Sequence, residues 1–142
     1  MNARTPLAFV DTNVLVYALE RARTPRNVIA RKLVEELTGQ DQLCLSTQVL
    51  QELFVTLTRK VRQPCSVEEG INCLDTLAAW PVLTIDYSAI RDAAALARDA
   101  VLSFWDALII VAAARSGAFT LYTDDLNHGQ EILGVRITNP FL

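Results

Sequence analysis

Four stretches of the chain each place a carboxylate beside an apolar segment, and acids arranged in this way could do chemistry together. Asp11 directly follows the apolar run LAFV, and the pair Asp124 and Asp125 directly follows FTLYT. Glu52 lies at the polar border of an amphipathic stretch, whereas Asp106 has only apolar neighbours in sequence. A carboxylate in such surroundings needs a partner, because burying an unpaired charge is costly.

Carboxylates that converge repel one another strongly unless a cation neutralises them. Carboxylate oxygens without histidine or cysteine are ligands for hard ions such as Mg²⁺ or Mn²⁺. The chain has one histidine, His128, and no Cys-x-x-Cys pair, so a zinc site lacks its usual ligands. Carboxylate-held Mg²⁺, as one or two ions, activates water and stabilises charge on a phosphoryl oxygen. The acids therefore favour hydrolysis of phosphodiesters.

Each acid taken alone also has a plain structural explanation. Asp11 could cap a following helix, and Asp106 could complete a capping box with Ser103. Glu52 could be a solvated residue on its helix, and an acidic pair after a strand is often a turn. The acids become evidence for a site only in combination, since separate segments deliver them to what could be one edge of a sheet.

Short apolar strands alternating with helices are the elements that must position these acids. Apolar runs predict strands at 7–10, 43–46, 82–85, 119–123 and 135–138. The spacing of apolar residues predicts helices at 13–22, 25–39, 47–62, 67–79, 87–100 and 103–117. The last helix is apolar nearly all round, which indicates that it is buried. The alternation describes an α/β protein with a parallel sheet covered on both faces.

The carboxyl edge of such a sheet is where ligands bind. If strands 7–10 and 119–123 are neighbours, Asp11 converges there with the acidic pair. Glu52 lies near the start of the helix that follows strand 43–46, so we expect it to point toward the same edge.

The composition is that of one globular domain spanning residues 1–142. The chain is 51% hydrophobic, which suffices for a sizeable core. Its net charge of −3 excludes a simple polycation that coats nucleic acid. No signal peptide or membrane-length apolar run is evident, and the three cysteines are an odd number. We therefore expect a cytoplasmic protein with reduced thiols and no membrane association.

Basic residues are concentrated in the first part of the chain. Residues 1–62 hold nine basic and six acidic groups, whereas residues 63–142 hold four basic and ten acidic groups. The clusters consist of Arg21, Arg23, Arg26, Arg31 and Lys32, and of Arg59, Lys60 and Arg62. Such clusters are usually solvated helix faces, and beside an acidic centre they could bind RNA phosphates.

Three other side chains could take part in chemistry. His128 lies in the polar stretch NHG and is predicted to be a surface residue rather than a general base. Trp80 and Trp105 could stack on nucleobases, but their apolar contexts favour positions in the core.

Four motifs together resemble the PIN domain family, most closely its VapC-type toxins. They are FVDTNVLVY, STQVLQEL, FWDALII and LYTDDLNHG, and they span nearly the whole chain. The resemblance implies a three-layer α/β/α sandwich and a ribonuclease that depends on Mg²⁺ or Mn²⁺. It further implies a tRNA or ribosomal RNA substrate, a homodimer, and a VapB-type antitoxin that holds the toxin inactive.

The resemblance also implies roles for individual residues. The acids that match the family's catalytic and metal-binding positions are Asp11, Glu52, Asp106 and Asp125. Thr123 sets the register that selects Asp125, while Asp124 is a possible further ligand. Asn13 would orient the first acid, and Thr12 and Thr123 would help to hold the metal ligands.

Three hypotheses follow from these observations. The first is a metal-dependent endoribonuclease, the toxin of a toxin–antitoxin pair. The second is a PIN module that binds RNA or a partner with little or no catalysis. The third is a receiver-type phosphotransfer domain, which is disfavoured because only Asp11 ends the first strand and no lysine follows Lys60.

Overall fold

The computed structural model describes residues 6–142. Its strands are β1 (Leu7–Val10), β2 (Leu43–Ser46), β3 (Val82–Leu83), β4 (Ala118–Tyr122), β5 (Glu131–Ile132) and β6 (Val135–Thr138). They form one sheet in the order β3-β2-β1-β4-β6-β5. Every pair is parallel except β5 with β6. β1 and β4 are neighbours, which is the condition that brings Asp11 close to the acids after β4.

Within the described residues, helices flank this sheet and complete the predicted α/β/α sandwich. They are α1 (Thr12–Leu19), α2 (Pro25–Gly39), α3 (Thr47–Val55), α4 (Val67–Leu77), α5 (Tyr87–Ala100) and α6 (Phe104–Arg115). Local signals set their starts, since Pro25 stands in the first turn of α2 and Ser66 forms a capping box with Glu69. None of the helices in residues 6–142 is long and apolar enough to cross a membrane.

The core lies between the central strands and α6. Phe9, Val10 and Leu121 are completely buried because central parallel strands are covered on both faces. Every residue of α6 from Ala107 to Ala113 is also buried, as its apolar sequence predicts. This packing fixes the ends of β1 and β4, and with them the residues that follow each strand.

Three elements differ from the prediction. The helix expected at 47–62 changes at Thr56 into a π-helical turn, Thr56–Lys60, where the Thr58 hydroxyl donates to the Phe54 carbonyl. The strand expected at 82–85 pairs only at β3, because the Ile85 N–H donates to the Thr47 hydroxyl instead. The sheet is not wholly parallel, since a tight turn at Gly134 folds β5 back along β6.

Candidate active site

Asp11 is fixed at the point where β1 meets α1. Its main-chain N–H donates to the Tyr122 carbonyl across the sheet at 2.9 Å. One carboxylate oxygen accepts the Thr12 N–H at 2.7 Å, and the other accepts the Thr123 hydroxyl at 2.9 Å. Asp11 is only 7% exposed. The carboxylate is therefore held by a backbone donor at the start of α1 and by a side-chain donor that follows β4.

Burial raises the pKa of Asp11 from its ordinary range to about 7. The hydrogen bonds from Thr123 and Thr12 oppose this rise, while the charges of Asp125 and Glu52 add to it. Desolvation disfavours the charged form of a carboxyl, and nearby negative charges disfavour it further. A cation bound beside Asp11 would reverse that penalty.

Thr123 organises the segment that follows β4. It is completely buried, and its hydroxyl donates to Asp11 while accepting the Asp125 N–H at 3.2 Å. This turn directs Asp125 into the cavity that also contains Asp11. Partial burial raises the pKa of Asp125, and the charges of Asp124 and Asp106 raise it further.

Asp124 is held in a different network from that of Asp125. Its carboxylate accepts a hydrogen bond from the Asn13 amide and forms an ion pair with Arg26, at a distance of 2.9 Å. Asn13 therefore donates to Asp124, whereas the donors to the two oxygens of Asp11 are the Thr12 N–H and the Thr123 hydroxyl. The role of Asn13 in orienting Asp11 stays a prediction.

Glu52 lies on α3 with its side chain exposed. The Gln48 amide, one helical turn earlier, donates to one of its oxygens at 2.7 Å. Gln48 itself is only 5% exposed. Sequence analysis missed Gln48, although its spacing from Glu52 is the helical spacing at which such side chains meet.

Asp106 stands in the first turn of α6 and is half-buried. The Ser103 hydroxyl accepts the Asp106 N–H at 3.1 Å, which is one of the two contacts of the capping box considered from the sequence. The Asp106 carboxylate acts on the site through its charge, which raises the pKa of Asp125.

Asp11, Glu52 and Asp125 line one cavity of about 390 Å³, and Asp106 does not line it. Thr12 and Asn13 also face this cavity. The Thr12 hydroxyl and the Asn13 Oδ1 atom are buried and have no hydrogen-bond partner within residues 6–142. The three acids and both of these groups offer oxygen atoms, the type of donor that Mg²⁺ and Mn²⁺ prefer.

In the described part of the chain, no three His, Cys, Asp or Glu side chains already form a group that could hold a metal ion. Mg²⁺ retains several waters and often binds only one or two carboxylates. The residues that line the cavity therefore fit a hydrated cation, with Asp11, Glu52 and Asp125 as the carboxylates available to it.

The predicted basic residues have different surroundings. Arg21 pairs with Glu69 at 2.6 Å, and Arg26 pairs with Asp124. Six residues of the two basic clusters are exposed and form no ion pair within residues 6–142: Arg23, Arg31, Lys32, Arg59, Lys60 and Arg62. These six have no acidic partner that would compete with a phosphate, whereas Arg21 and Arg26 do.

The two tryptophans differ from each other. Trp80 is half-buried and packs against the core as predicted. Trp105 is 65% exposed, so its assignment to the core is wrong. The cause is its position in the first turn of α6, before the buried stretch that begins at Ala107. His128 is exposed as predicted, and its Nδ1 accepts the Asn139 N–H at 2.9 Å.

Comparison with known proteins places this arrangement in a family. A toxin–antitoxin complex from Klebsiella pneumoniae is 22% identical, with a TM-score of 0.68 over 94% of this chain and 97% of that one. VapBC from Salmonella typhimurium, bound to DNA, is 21% identical, with a TM-score of 0.65 over 96% and 99%.

A third structure is VapC20 of Mycobacterium tuberculosis, a toxin that cleaves the sarcin–ricin loop. It is 19% identical, with a TM-score of 0.64 over 83% of this chain and 91% of that one. A search of curated protein sequences returns no match. The model of the PIN domain matches residues 8–130, and the chain therefore belongs to the PIN domain family.

Proposed function

We propose that this chain is a metal-dependent endoribonuclease of the VapC type, the toxin of a toxin–antitoxin pair. The observation that carries the proposal is the shared cavity of Asp11, Glu52 and Asp125 at the carboxyl edge of the sheet. Membership of the PIN domain family and the likeness to VapC20 support a nuclease. Phosphodiester hydrolysis is the reaction that carboxylates with a hard cation suit best.

Mg²⁺ or Mn²⁺, as one or two ions, would lower the pKa of a water and stabilise charge on the phosphoryl oxygen. Asp11 supplies a carboxylate that is fixed in position by the Thr12 N–H and the Thr123 hydroxyl. Asp125 supplies a second carboxylate, positioned by the same threonine. The Gln48 amide holds one oxygen of Glu52, which leaves the other to accept a hydrogen bond from water in the cavity.

Asp106 acts by adding negative charge beside Asp125. Asp124 stays a possible further ligand, although Arg26 and Asn13 now occupy its oxygens. Of the unpaired basic residues, Arg23, Arg59, Lys60 and Arg62 would bind the RNA backbone, where each cation neutralises a phosphate. A structured tRNA or ribosomal RNA is the proposed substrate, in the cytoplasm where such RNA is found.

A VapB-type antitoxin is the proposed partner, because two of the similar structures are toxin–antitoxin complexes. A homodimer is proposed in addition. The carboxylates explain how a partner could inhibit the toxin, since a cationic side chain inserted among them would replace the charge of the metal.

A pool of tRNA and ribosomal RNA incubated with Mg²⁺ or Mn²⁺ tests the activity. We expect discrete cuts from the wild type, none with EDTA, and none from Asp11→Asn or Asp125→Asn. Asp75→Asn changes an exposed acid on α4 and is the matched control, which should cleave as the wild type does. Cleavage that survives in a clean Asp11→Asn preparation would contradict the proposal.

A second candidate is a PIN module that binds RNA or a partner with little catalysis. The observation that favours it is that no group of three metal-binding side chains is preassembled within residues 6–142. This function predicts RNA binding that survives Asp11→Asn and cell growth that overexpression does not slow. Growth arrest that Asp106→Asn abolishes would exclude it.

A further inference from the structure

Trp105 exposes its ring beside the acidic cavity. The indole is 65% exposed, although the helix that carries it forms the core from Ala107 onward. The Phe104 ring supports it edge-on, with ring centres 5.1 Å apart and planes at 80°. The Trp105 carbonyl lies 3.5 Å from the Gln48 amide nitrogen, which links α6 to α3. One face of a large aromatic ring is therefore held next to solvent.

A second cavity of about 400 Å³ lies against this ring. Among residues 6–142, its lining consists of Gln48, Gln51, Glu52 and Trp105. Glu52 also lines the cavity that contains Asp11 and Asp125, so the two cavities share this residue. A chain bound in one cavity could extend directly into the other.

The chemistry of this second cavity suits a nucleobase. An exposed aromatic face stacks on any base, and side-chain amides offer both a donor and an acceptor to the base edge. The Gln51 side chain is exposed and its amide is available to a base edge, whereas the Gln48 amide already donates to Glu52 and its Oε1 atom is buried. No cationic side chain of residues 6–142 lines the cavity, which disfavours a phosphate there.

The same lining is poor for a protein partner. The Gln51 amide and the second oxygen of Glu52 stand beside the indole, and an apolar protein surface would leave both groups without hydrogen bonds.

We propose that Trp105, Gln51 and Gln48 form a subsite for one unstacked nucleobase of the RNA, adjoining the acidic cavity where the phosphodiester is cut. The base stacks on the Trp105 ring and hydrogen-bonds to the Gln51 amide, while Gln48 holds the adjoining Glu52 carboxylate. The subsite rests on the proposed ribonuclease function and adds to it a position at which the nucleotide beside the cut is recognised.

Fluorescence of Trp105 tests the subsite without any cleavage. The titration is done in EDTA, with Trp80→Phe to remove the other tryptophan, using short single-stranded oligoribonucleotides. An abasic oligomer of the same length is the control. We expect saturable quenching by the base-containing strands and none by the abasic strand. The same titration of Trp105→Phe with Trp80 retained covers the case in which Trp80→Phe does not fold.

Cleavage kinetics separate this inference from the proposed function. Trp105→Ala should raise the KM for RNA by about 5- to 150-fold, which corresponds to ~1–3 kcal/mol for one stacked base, with a smaller change in kcat. Trp105→Phe should retain most of the affinity. Phe119→Ala removes another exposed aromatic ring, on β4, and should leave KM unchanged.

The outcomes are distinct. A wild type that cleaves no RNA contradicts the proposed function, and the fluorescence titration then still decides the subsite. A wild type that cleaves, with KM unchanged in Trp105→Ala and equal quenching by abasic and base-containing strands, overturns the subsite. Loss of a dimer or a protein partner in Trp105→Ala with unchanged affinity for RNA also overturns it, because the indole would then belong to a protein interface.

Discussion

At the ends of β1 and β4, Asp11 and Thr123 are buried, and the two oxygens of Asp11 have defined donors within 2.9 Å. Glu52 and Asp106 come from α3 and α6 instead, and both are partly or fully open to solvent. The Asp11 carboxylate is thus held at both oxygens, whereas the carboxylates of the exposed Asp125, of Glu52 and of Asp106 each have at most one hydrogen-bond donor within residues 6–142. The contrast explains how a site can lack a preassembled ligand group and still fit a hydrated cation.

The largest expected effect is on RNA cleavage, and it comes from Asp11, one of the acids that follow β1 and β4. Asp11→Asn should reduce metal-dependent RNA cleavage by at least about 100-fold, because even groups that only support a metal ligand contribute about 10–100-fold. Glu52→Gln should leave more activity, since the Glu52 side chain is exposed and the Gln48 amide already holds one of its oxygens. Steady-state cleavage assays measure both. Equal residual activities of the two variants would contradict the distinction between Asp11, which follows β1, and Glu52, which lies on α3.

Thr123→Val should reduce Mn²⁺ affinity by about 10–100-fold, since it deletes a donor to Asp11 and an acceptor of the Asp125 N–H. Isothermal titration of Mn²⁺ measures the change. Thr76→Val, on an exposed face of α4, is the matched control and should bind as the wild type does. Unaltered binding by Thr123→Val would show that the sheet does not need this hydroxyl to hold the acids.

Without metal, Asp11→Asn should stabilise the fold. Burial raises the pKa of Asp11 to about 7 in the folded state, above its ordinary value of about 4, so the folded protein keeps this proton at higher pH than the unfolded chain. Stability therefore falls as pH rises from about 4 to about 7, and the full penalty remains at higher pH. Asparagine does not ionise, so the folded variant lacks this penalty.

The gain should be about 1–3 kcal/mol in EDTA at about pH 8 and small near pH 4, because about 1.4 kcal/mol per pKa unit is partly offset by altered hydrogen bonds. Urea unfolding at the two pH values measures it. A gain that does not grow with pH would mean that Asp11 ionises normally in the fold.

The smallest expected effect concerns the cation that is already part of the site. The Arg26 guanidinium pairs with Asp124 and lies 4.7 Å from the ring centre of Phe141 and 5.5 Å from that of Tyr17. Arg26→Ala removes this positive charge, so Mn²⁺ should bind about 3-fold more tightly, in keeping with the ~0.2–1 kcal/mol of an exposed ion pair. Arg26→Lys keeps the charge and is the control. Weaker binding by Arg26→Ala would instead make the guanidinium a support of the acidic site.

The positions of the acids that follow β1 and β4 could be predicted from the sequence. Short apolar runs predict buried strands, and the residue after each run lies at the carboxyl edge of the sheet. This position does not depend on the side chains in the rest of the chain. That rule places Asp11 and the pair after β4 correctly. The turn that separates the roles of Asp124 and Asp125 depends on the Thr123 hydroxyl, which the sequence marks only through its position.

The contacts of side chains on the helices were harder to predict, because they join residues that are far apart in the sequence. Arg26 meets Asp124 across 98 positions, and no local pattern encodes that pair. Trp105 has apolar neighbours in sequence, but the first helical turn carries it beyond the buried stretch of α6. Gln48 is polar and nevertheless buried, and its amide nitrogen lies 3.5 Å from the Trp105 carbonyl of α6, a contact that no local pattern encodes.

Titration of Mn²⁺ into the wild type and into Asp11→Asn, Asp125→Asn and Asp75→Asn tests the central claim most directly. The claim is that the acids at the ends of β1 and β4 form a cation site for RNA cleavage. We predict saturable binding to the wild type and Asp75→Asn, and binding at least about 10-fold weaker in the other two variants. Equal binding by all four proteins, or no saturable binding by the wild type, would contradict the claim.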